Sequence, residues 1–244
     1  MNLVVVIPSY NERENITRLV EYVLGLPHSP RVIVVDDNSP DGTSEIVLRL
    51  AEANPRLVLI RRAGKGGRGS ACLEGFQHAL RLGADMVVEM DADFSHDPAD
   101  IPRLVERATQ GYDMVVGSRY TRGSHILNWP LPRRVFSRLA NRFARLVLGV
   151  PISDYTGGYR CYTRHALQRI DYSAVRSRGY AVLSEVAYQL GQQKVRMAEI
   201  PIVFVDRRVG TSKTNLREIL AAFTTVVQIR AWYRRWRAPS LAQG

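Results

Sequence analysis

The sequence predicts an α/β fold, in which helices cover both faces of a mostly parallel sheet. Short apolar runs rich in β-branched residues alternate with helical patterns through about residue 117, and the connections between them are short. Such alternation is typical of parallel strands joined by right-handed crossovers. A chain of 244 residues is also long enough for one such domain with a substantial core.

The predicted strands are the apolar runs that end in turn-forming residues. They cover residues 3–7, 32–36, 57–60, 87–90 and 112–117. Between them, apolar residues recur at helical spacing, which predicts four helices. These lie near residues 16–24, 46–50, 70–82 and 101–109. We expect one domain over residues 1–213, with halves at 1–117 and 118–213, and a C-terminal amphipathic basic helix and tail at 214–244.

The composition indicates an anionic partner and argues against several other classes. The net charge is +11, and nearly all of the positive charge is arginine. Nucleic acid, a phosphorylated ligand or an anionic membrane surface would each suit this charge. Cys72 and Cys161 lie far apart, in no metal or redox spacing, which favours a reduced cytosolic setting. We expect no signal peptide and no spanning helix, since no uncharged apolar run approaches about 18 residues.

Acidic residues recur where the predicted strands end. Glu12 follows the first strand, Asp36 and Asp37 follow the second, and Asp91 and Asp93 follow the fourth. In an open α/β sheet, ligands bind outside the carboxyl ends of the strands. An Asp-Ala-Asp segment there can hold a hard divalent cation, and the cation can hold a diphosphate. The alternative is a solvated strand end that caps the next helix.

Two familiar nucleotide motifs are absent. The turn after the first strand lacks Gly-x-Gly-x-x-Gly, which argues against a dinucleotide site, and Asp36 or Asp37 could instead accept a hydrogen bond from a base or ribose. The Gly-rich segment 62–70 lacks the Gly-Lys-Ser/Thr order of a P-loop. It is interpreted as a turn that places Lys65 near phosphates, with a plain loop as the alternative.

The order and spacing of several motifs together resemble family 2 glycosyltransferases with the GT-A (Rossmann-like) fold. The motifs are Val-Val-Ile-Pro-Ser-Tyr-Asn-Glu at 5–12, Val-Val-Asp-Asp-Asn-Ser-Pro-Asp-Gly-Thr at 34–43, Met-Asp-Ala-Asp-Phe-Ser-His at 90–96 and Gly-Ser-Arg-Tyr at 117–120. Segments 154–160 and 207–213 extend the likeness, which thus covers about residues 3–213. Within the family, the chain resembles the dolichyl/polyprenyl-phosphate mannosyltransferases.

This resemblance implies a nucleotide-sugar-binding half at 1–117 and an acceptor-side half at 118–213. Asp91 and Asp93 would hold Mg²⁺ or Mn²⁺ against the donor diphosphate, and Ala92 would lie against the nucleotide. Ser95 would be a third ligand, although some relatives have Gln there. The guanine and ribose pocket would be lined by Pro8, Tyr10, Glu12, Val35 and Asp37.

The resemblance also implies which residues meet phosphate groups. Lys65 would lie near the donor phosphates, in a Gly-rich segment where Arg68 replaces the usual apolar residue. Arg207 and Lys213 would clamp the donor diphosphate from a loop before the last helix. The acceptor phosphate would be bound by Arg119, Arg133 and Ser137.

The implied activity is transfer of mannose from GDP-mannose to dolichyl or polyprenyl phosphate, with inversion to a β-linked product. A phosphate monoester has a second pKa of about 6, so it can attack without a strong general base. We therefore expect no essential histidine, with His96 and His125 in turns or at the surface. A relative using UDP-glucose or another nucleotide sugar is the near alternative. A basic nucleic-acid-binding module is the alternative of another class, and the strand-end carboxylates argue against it.

Two segments predict contact with a membrane, where a lipid acceptor would be met. In residues 133–148, one helical face is apolar and the opposite face carries Arg134, Arg138, Arg142 and Arg145. That pattern suits a membrane interface, or an ordinary surface helix packed on the sheet. Residues 216–236 end in aromatics beside arginines, which suit an interface or a helical dimer contact. We expect a peripheral protein on the cytoplasmic membrane face, with a separate anchor subunit left open.

Overall fold

The computed structural model describes residues 1–206 and 216–235, with the backbone alone for 216–222 and residue 235. The strands are β1 Leu3–Ser9, β2 Arg31–Asp36, β3 Leu57–Arg61, β4 Met86–Glu89, β5 Met114–Ser118, β6 His125–Leu127, β7 Arg160–Thr163, β8 Met197–Pro201 and β9 Val203–Val205. The helices are α1 Ile16–Leu24, α2 Thr43–Ala53, α3 Arg68–Arg81, α4 Ile101–Thr109, α5 Leu131–Leu148, α6 Arg164–Gln168, α7 Ala181–Gln192 and α8 Leu216–Trp232. All nine strands and helices predicted from the sequence through residue 117 are present, with shifted ends.

The main sheet has seven strands in the order β3-β2-β1-β4-β7-β5-β8. Every pairing in it is parallel except those of β7, which runs antiparallel between β4 and β5. The predicted mostly parallel sheet is therefore confirmed. A second, small sheet pairs β6 with β9 in parallel.

Alternate residues of β1 explain why its sequence is a continuous apolar run. Val4 and Val6 belong to one core, which α3 and α7 cover. Val5 and Ile7 belong to a second core on the opposite face, which α1 and α4 cover. Because both faces of the sheet are buried, no position in the strand can be polar without losing apolar burial. The carboxyl ends of β1, β2 and β4 are left as one edge, where the acidic residues lie.

The apolar face predicted for α5 is largely covered by protein. The rings of Phe136 and Phe143 pack on Phe223 of α8, with centroids 6.0 and 4.9 Å away. That part of the face is not free for a membrane, so the interpretation of it as a lipid-facing surface is wrong. Leu139, predicted on the same face, is 57% exposed. The arginines of the opposite face are exposed as predicted: Arg134, Arg138, Arg142 and Arg145.

The residues that follow α8 are hydrogen-bonded to α7. The Tyr233 hydroxyl is hydrogen-bonded to Gln189 Nε2 at 2.7 Å and to Glu185 Oε1 at 2.8 Å, both on α7. Tyr233 is therefore a buried residue and does not lie in a membrane interface or a dimer contact, while Trp236 falls outside the described residues. Within residues 1–206 and 216–235, no helix combines the length and apolarity that crossing a bilayer requires.

Candidate functional site

Two cavities meet at the carboxyl edge of the sheet. The β1-side cavity, of about 800 Å³, is lined by residues 11–15 after β1 and by the turn after β4. The α5-side cavity, of about 530 Å³, is lined by that same turn and by α5. Asp93 and Asp206 line both cavities. Ligands in the two cavities would therefore approach each other at these two carboxylates.

A tight turn after β4 positions the acidic side of the site. Asp93 Oδ1 accepts the Ser95 N–H at 3.1 Å, which closes the turn. Phe94 between them has φ 57°, a left-handed conformation that bulky residues rarely adopt. The Arg18 guanidinium lies 5.2 Å from the Phe94 ring centroid. As a result, Asp91, Asp93 and Ser95 all line the α5-side cavity, as the sequence predicted for ligands of one ion.

The donor set of this turn fits a hard divalent cation. Asp91, Asp93 and Ser95 offer oxygen atoms alone, which Mg²⁺ and Mn²⁺ prefer. Within the described part of the chain, no group of three or more His, Cys, Asp or Glu residues could hold a metal. The protein would thus supply two carboxylates, and substrate phosphates and water would complete the coordination, as is usual for Mg²⁺.

Asp91 has an arginine partner. Arg68, the first residue of α3, donates from Nε to Asp91 Oδ1 at 2.5 Å. The guanidinium also donates to the Gly158 carbonyl at 3.0 Å. Its position in the family motif was noted from the sequence, but no role was assigned to it.

Both carboxylate oxygens of Asp37 accept hydrogen bonds from the Gly-rich segment. Its Oδ1 accepts from Arg62 Nη1 at 2.5 Å, and its Oδ2 accepts the Gly67 N–H at 2.7 Å. Asp36 is buried and accepts hydrogen bonds from three serines, so it is not available to a base or ribose. The serines are Ser9, Ser39 and Ser44. In the structure Asp37 therefore fixes the loop after β3. Its predicted contact with the nucleotide would use a carboxylate lone pair that neither of these two hydrogen bonds occupies.

Only some of the other residues predicted for the nucleotide pocket lie near one another. Lys65 Nζ lies 3.9 Å from the Tyr10 ring centroid, so the Gly-rich loop folds across the end of β1. Glu12 lines the β1-side cavity and accepts from Asn15 Nδ2 at 2.9 Å. The Val35 side chain is fully buried in the core. The last predicted member of this pocket is half-buried: Pro8.

A buried ion pair organises the acceptor side. Arg119 donates from Nε to Asp154 Oδ2 and from Nη2 to Oδ1, each at 2.7 Å. It also donates to Thr156 Oγ1 at 2.7 Å. Burial alone would raise the pKa of Asp154, but the charge and hydrogen bonds of Arg119 hold that pKa below its usual value. The charge of Arg119 is thus largely compensated before any ligand binds.

Arg133 and Ser137, one turn apart on α5, join Arg119 in the α5-side cavity. Arg133 donates to Asp206 Oδ2 at 2.7 Å and lies 4.2 Å from the Trp129 ring centroid. Ser137 Oγ accepts from the Tyr120 hydroxyl at 2.5 Å. The structure therefore brings all three predicted acceptor residues into one cavity.

His96 was expected in a turn or at the surface, and it lies in the turn but is buried. Its side chain is 1% exposed and stacks on Tyr159 with ring centroids 4.8 Å apart. Burial lowers the pKa of His96, and its Nδ1 accepts the Asp91 N–H at 3.2 Å. The ring with this bond supports the turn. The surface alternative does not hold for His96, whose expected place in a turn is confirmed. It holds for His125, which is exposed.

Two residues that were predicted for the site, and three that were not, remain to be placed. Arg207 and Lys213 lie outside the described residues. No role was predicted for Asp154 and Asp206, the partners of the two cavity arginines, or for Arg68. The segment 154–160 did signal the first of these, since it belongs to the quoted motifs.

Comparison with known proteins agrees with the motifs. The model of glycosyl transferase family 2 matches residues 4–171. The chain is 43% identical over 220 residues to polyprenol monophosphomannose synthase of Mycolicibacterium smegmatis, covering 88% of this chain and 83% of that protein. It is 38% identical over 215 residues to undecaprenyl-phosphate mannosyltransferase of Micrococcus luteus, covering 88% of each chain.

Solved structures share the fold at lower identity. Glucosyl-3-phosphoglycerate synthase from Mycobacterium tuberculosis, in complex with Mn²⁺, UDP-glucose and phosphoglyceric acid, aligns with a TM-score of 0.68 and 18% identity, over 94% of this chain and 80% of that one. A mannosyltransferase from Pyrobaculum calidifontis, in complex with GDP-mannose and Mn²⁺, aligns with a TM-score of 0.66 and 22% identity, over 98% of this chain and 66% of that one. These likenesses concern the fold.

Proposed function

The chain belongs to glycosyltransferase family 2 and has the GT-A fold, and on this premise we propose that it transfers mannose from GDP-mannose to a polyprenyl or dolichyl phosphate with inversion. The two relatives quoted above are named for mannosyl transfer to this class of lipid phosphate. GDP-mannose is the donor in the Pyrobaculum calidifontis complex, which supports the choice of donor.

One observation carries the proposal. The α5-side cavity is lined by the carboxylates of Asp91 and Asp93 and by the guanidinium groups of Arg119 and Arg133, and it shares Asp93 with the β1-side cavity. A nucleotide diphosphate bound through a cation and an anionic acceptor bound through arginines need this arrangement of charge. A single nucleotide or a nucleic acid would not require both kinds of side chain in one cavity.

Asp91, Asp93 and Ser95 would hold Mg²⁺ or Mn²⁺. When bound, the cation supplies charge that neutralises the departing nucleoside diphosphate. Arg207 and Lys213 would add positive charge on the same diphosphate. The nucleotide itself would lie between β1 and the Gly-rich loop. Its predicted contacts are Pro8, Tyr10, Glu12, Asp37 and Lys65. The side chains of Val35 and Ala92, also predicted as contacts, are buried in the core, so only their main-chain atoms would meet the nucleotide.

Arg119, Arg133 and Ser137 would bind and orient the acceptor phosphate. Guanidinium groups match phosphate geometry, and their charge favours the ionised form of the acceptor. That acceptor, already ionised near neutral pH, attacks the anomeric carbon without a protein base. Attack from the α5 side on a sugar held at the β1 side would invert the anomeric centre. The mechanism assigns no proton transfer to His96, whose Nδ1 accepts a backbone N–H.

A membrane contact fits the exposed part of α5. Four apolar side chains on this helix are at least half exposed and lie among its four exposed arginines. They are Leu131, Val135, Leu139 and Leu146. Apolar groups beside arginines suit an interface with anionic headgroups. We place the protein as peripheral on the cytoplasmic membrane face, and a separate anchor subunit is compatible with this placement.

A comparison of nucleotide-sugar donors tests the proposal. The protein is incubated with liposomes that contain polyprenyl phosphate and with labelled GDP-mannose or UDP-glucose, with and without EDTA. We expect lipid-extractable label from GDP-mannose alone, with loss of the product when EDTA is present. A preference for UDP-glucose would support the alternative donor and overturn the proposed one. Transfer that EDTA leaves unchanged would overturn the role of the cation.

A further inference from the structure

Arg68 places a permanent positive charge directly on a carboxylate of the proposed cation site. Its Nε lies 2.5 Å from Asp91 Oδ1, and its side chain is 11% exposed. We propose that the positive charge of Arg68 weakens the binding of a divalent cation to Asp91 and Asp93 when no nucleotide is bound. The cation would then bind tightly only together with the nucleotide diphosphate. This inference rests on the proposed function and adds a determinant of how the site is loaded.

The guanidinium of Arg68 is held in place by the backbone opposite it. Nη2 donates to the Gly158 carbonyl at 3.0 Å. A Cβ atom at residue 158 would lie only 1.8 Å from this Nη2, so glycine there leaves the space that Arg68 fills. The Tyr180 ring centroid lies 5.4 Å from the guanidinium carbon. Arg68 is therefore a fixed part of the site, and a cation entering the cavity would not simply push it aside.

A second carboxylate keeps the arginine where it is. Glu89, at the end of β4, is fully buried, and its Oε2 lies 3.9 Å from Arg68 Nη1. That oxygen has no hydrogen-bond partner in the described residues. The guanidinium therefore lies between two acidic side chains, Glu89 at the end of β4 and Asp91.

This geometry has a direct consequence for a cation. Arg68 occupies Oδ1 of Asp91, so a cation would share the Asp91 charge with a guanidinium on the same carboxylate. Like charges at such short range in a partly buried site repel more strongly than in water. A bound diphosphate adds negative charge on the other side of the cation and offsets this repulsion. Metal binding without nucleotide should therefore be weak, and binding with nucleotide should be strong.

Titration of Mn²⁺, followed by the electron paramagnetic resonance of the free ion, tests this directly. It is carried out on the wild type, Arg68→Gln, Arg68→Met and Arg68→Lys, first without nucleotide and then with GDP. Gln keeps an N–H donor for Asp91 but removes the charge, whereas Lys keeps the charge. The matched control is Arg62→Gln, because Arg62 pairs with Asp37 and Glu74 rather than with the metal carboxylates.

We expect Arg68→Gln and Arg68→Met to bind Mn²⁺ without nucleotide at least about tenfold more tightly than the wild type. Arg68→Lys and Arg62→Gln should stay within about threefold of the wild type. Circular dichroism and the melting temperature identify any variant that fails to fold. If one of the two uncharged variants is misfolded, the Mn²⁺ affinity of the other tests the inference. Equal or weaker Mn²⁺ binding by a folded uncharged variant overturns the inference, as does tightening by Arg68→Lys.

The same titration separates this inference from the proposed function. If the wild type binds no Mn²⁺ even with GDP, the proposed cation site fails, and the inference fails with it. If the wild type binds Mn²⁺ with GDP and Asp93→Asn abolishes that binding, the site stands. An unchanged affinity in Arg68→Gln would then overturn the inference alone.

Discussion

Arg133 on α5 donates a hydrogen bond to Asp206, which follows β9, at 2.7 Å. Asp206 lines both cavities, so this ion pair lies at their boundary. Arg133 is also packed on Trp129, with 4.2 Å between the guanidinium carbon and the ring centroid. An acceptor phosphate in the α5-side cavity would therefore meet an arginine that is well oriented but already paired with a carboxylate.

The first prediction concerns this pair. Arg133→Gln should raise the KM for polyprenyl phosphate by roughly ten- to a hundredfold, because a charge-assisted hydrogen bond to the acceptor is lost. Asp206→Asn should lower that KM, because the carboxylate of Asp206 would no longer compete with the acceptor phosphate for Arg133. Initial rates at varied acceptor, with GDP-mannose in excess, give both values. The KM for GDP-mannose should change little in Arg133→Gln, and a change confined to the donor would refute this assignment.

The second prediction concerns the buried pair of Arg119 and Asp154. Asp154→Asn should lower the free energy of unfolding by about 3–5 kcal/mol, because Arg119 keeps a buried charge without its partner. The pKa of Asp154 is lowered in the folded state from a reference value of 3.8. Its contribution is therefore fully present above that value and declines as the pH falls through the lower, folded-state pKa.

Urea unfolding of the wild type and Asp154→Asn between pH 8 and pH 3 measures this effect. The difference in unfolding free energy should be constant at neutral pH and shrink below about pH 4. A difference that grows as the pH falls would contradict the direction assigned to the pKa shift.

The third prediction concerns the space beside Arg68. Gly158→Ala should lower the free energy of unfolding by about 1–3 kcal/mol, because the new Cβ would overlap the guanidinium. Gly64→Ala is the matched control, since a Cβ there meets nothing within 4 Å. Thermal or urea unfolding compares the two variants. An equal effect of both substitutions would mean that the contact at Gly158 is not a packing constraint.

The fourth prediction concerns the exposed arginines of α5. Replacing all four with Gln should weaken binding to vesicles that contain anionic lipid by at least about tenfold, since each arginine contributes on the order of 1 kcal/mol near such a surface. The replaced residues are Arg134, Arg138, Arg142 and Arg145. Vesicle co-sedimentation measures the loss.

A matched control removes four exposed arginines from other elements. These are Arg31, Arg49, Arg81 and Arg103. This variant has the same net charge as the α5 variant and should bind vesicles nearly as well as the wild type. Equal losses in the two variants would show that net charge, and not the position of α5, determines membrane binding.

The sequence was most informative where local pattern and long-range structure agree. Strands buried on both faces are apolar at their interior positions, so β1 and β2 could be recognised without knowing their neighbours. The carboxyl ends of parallel strands share an edge, so it could also be predicted that Glu12 and Asp93 line one cavity. By contrast, β7 is short and pairs antiparallel with strands more than 40 residues earlier in the sequence. No local pattern encodes that pairing.

Partners of charged residues were the hardest to predict. Arg119 and Asp154 lie 35 residues apart, and Arg68 and Asp91 lie 23 apart, and side-chain pairs at such separations depend on the completed fold. The face of α5 shows the same limit. Amphipathic periodicity predicts that an apolar stripe is covered, but it does not indicate whether protein or lipid covers it. In the structure, Phe223 of α8 covers much of it.

The most direct test of the account is the location of the cation in a crystal structure with GDP and Mg²⁺. We predict an ion about 2.1 Å from a carboxylate oxygen of Asp93, bridging that residue to the diphosphate. The nucleotide should lie at the β1 side, leaving Arg119 and Arg133 in the α5-side cavity for the acceptor. An ion or a diphosphate bound away from Asp93 would contradict the central claim that donor and acceptor meet at this carboxylate.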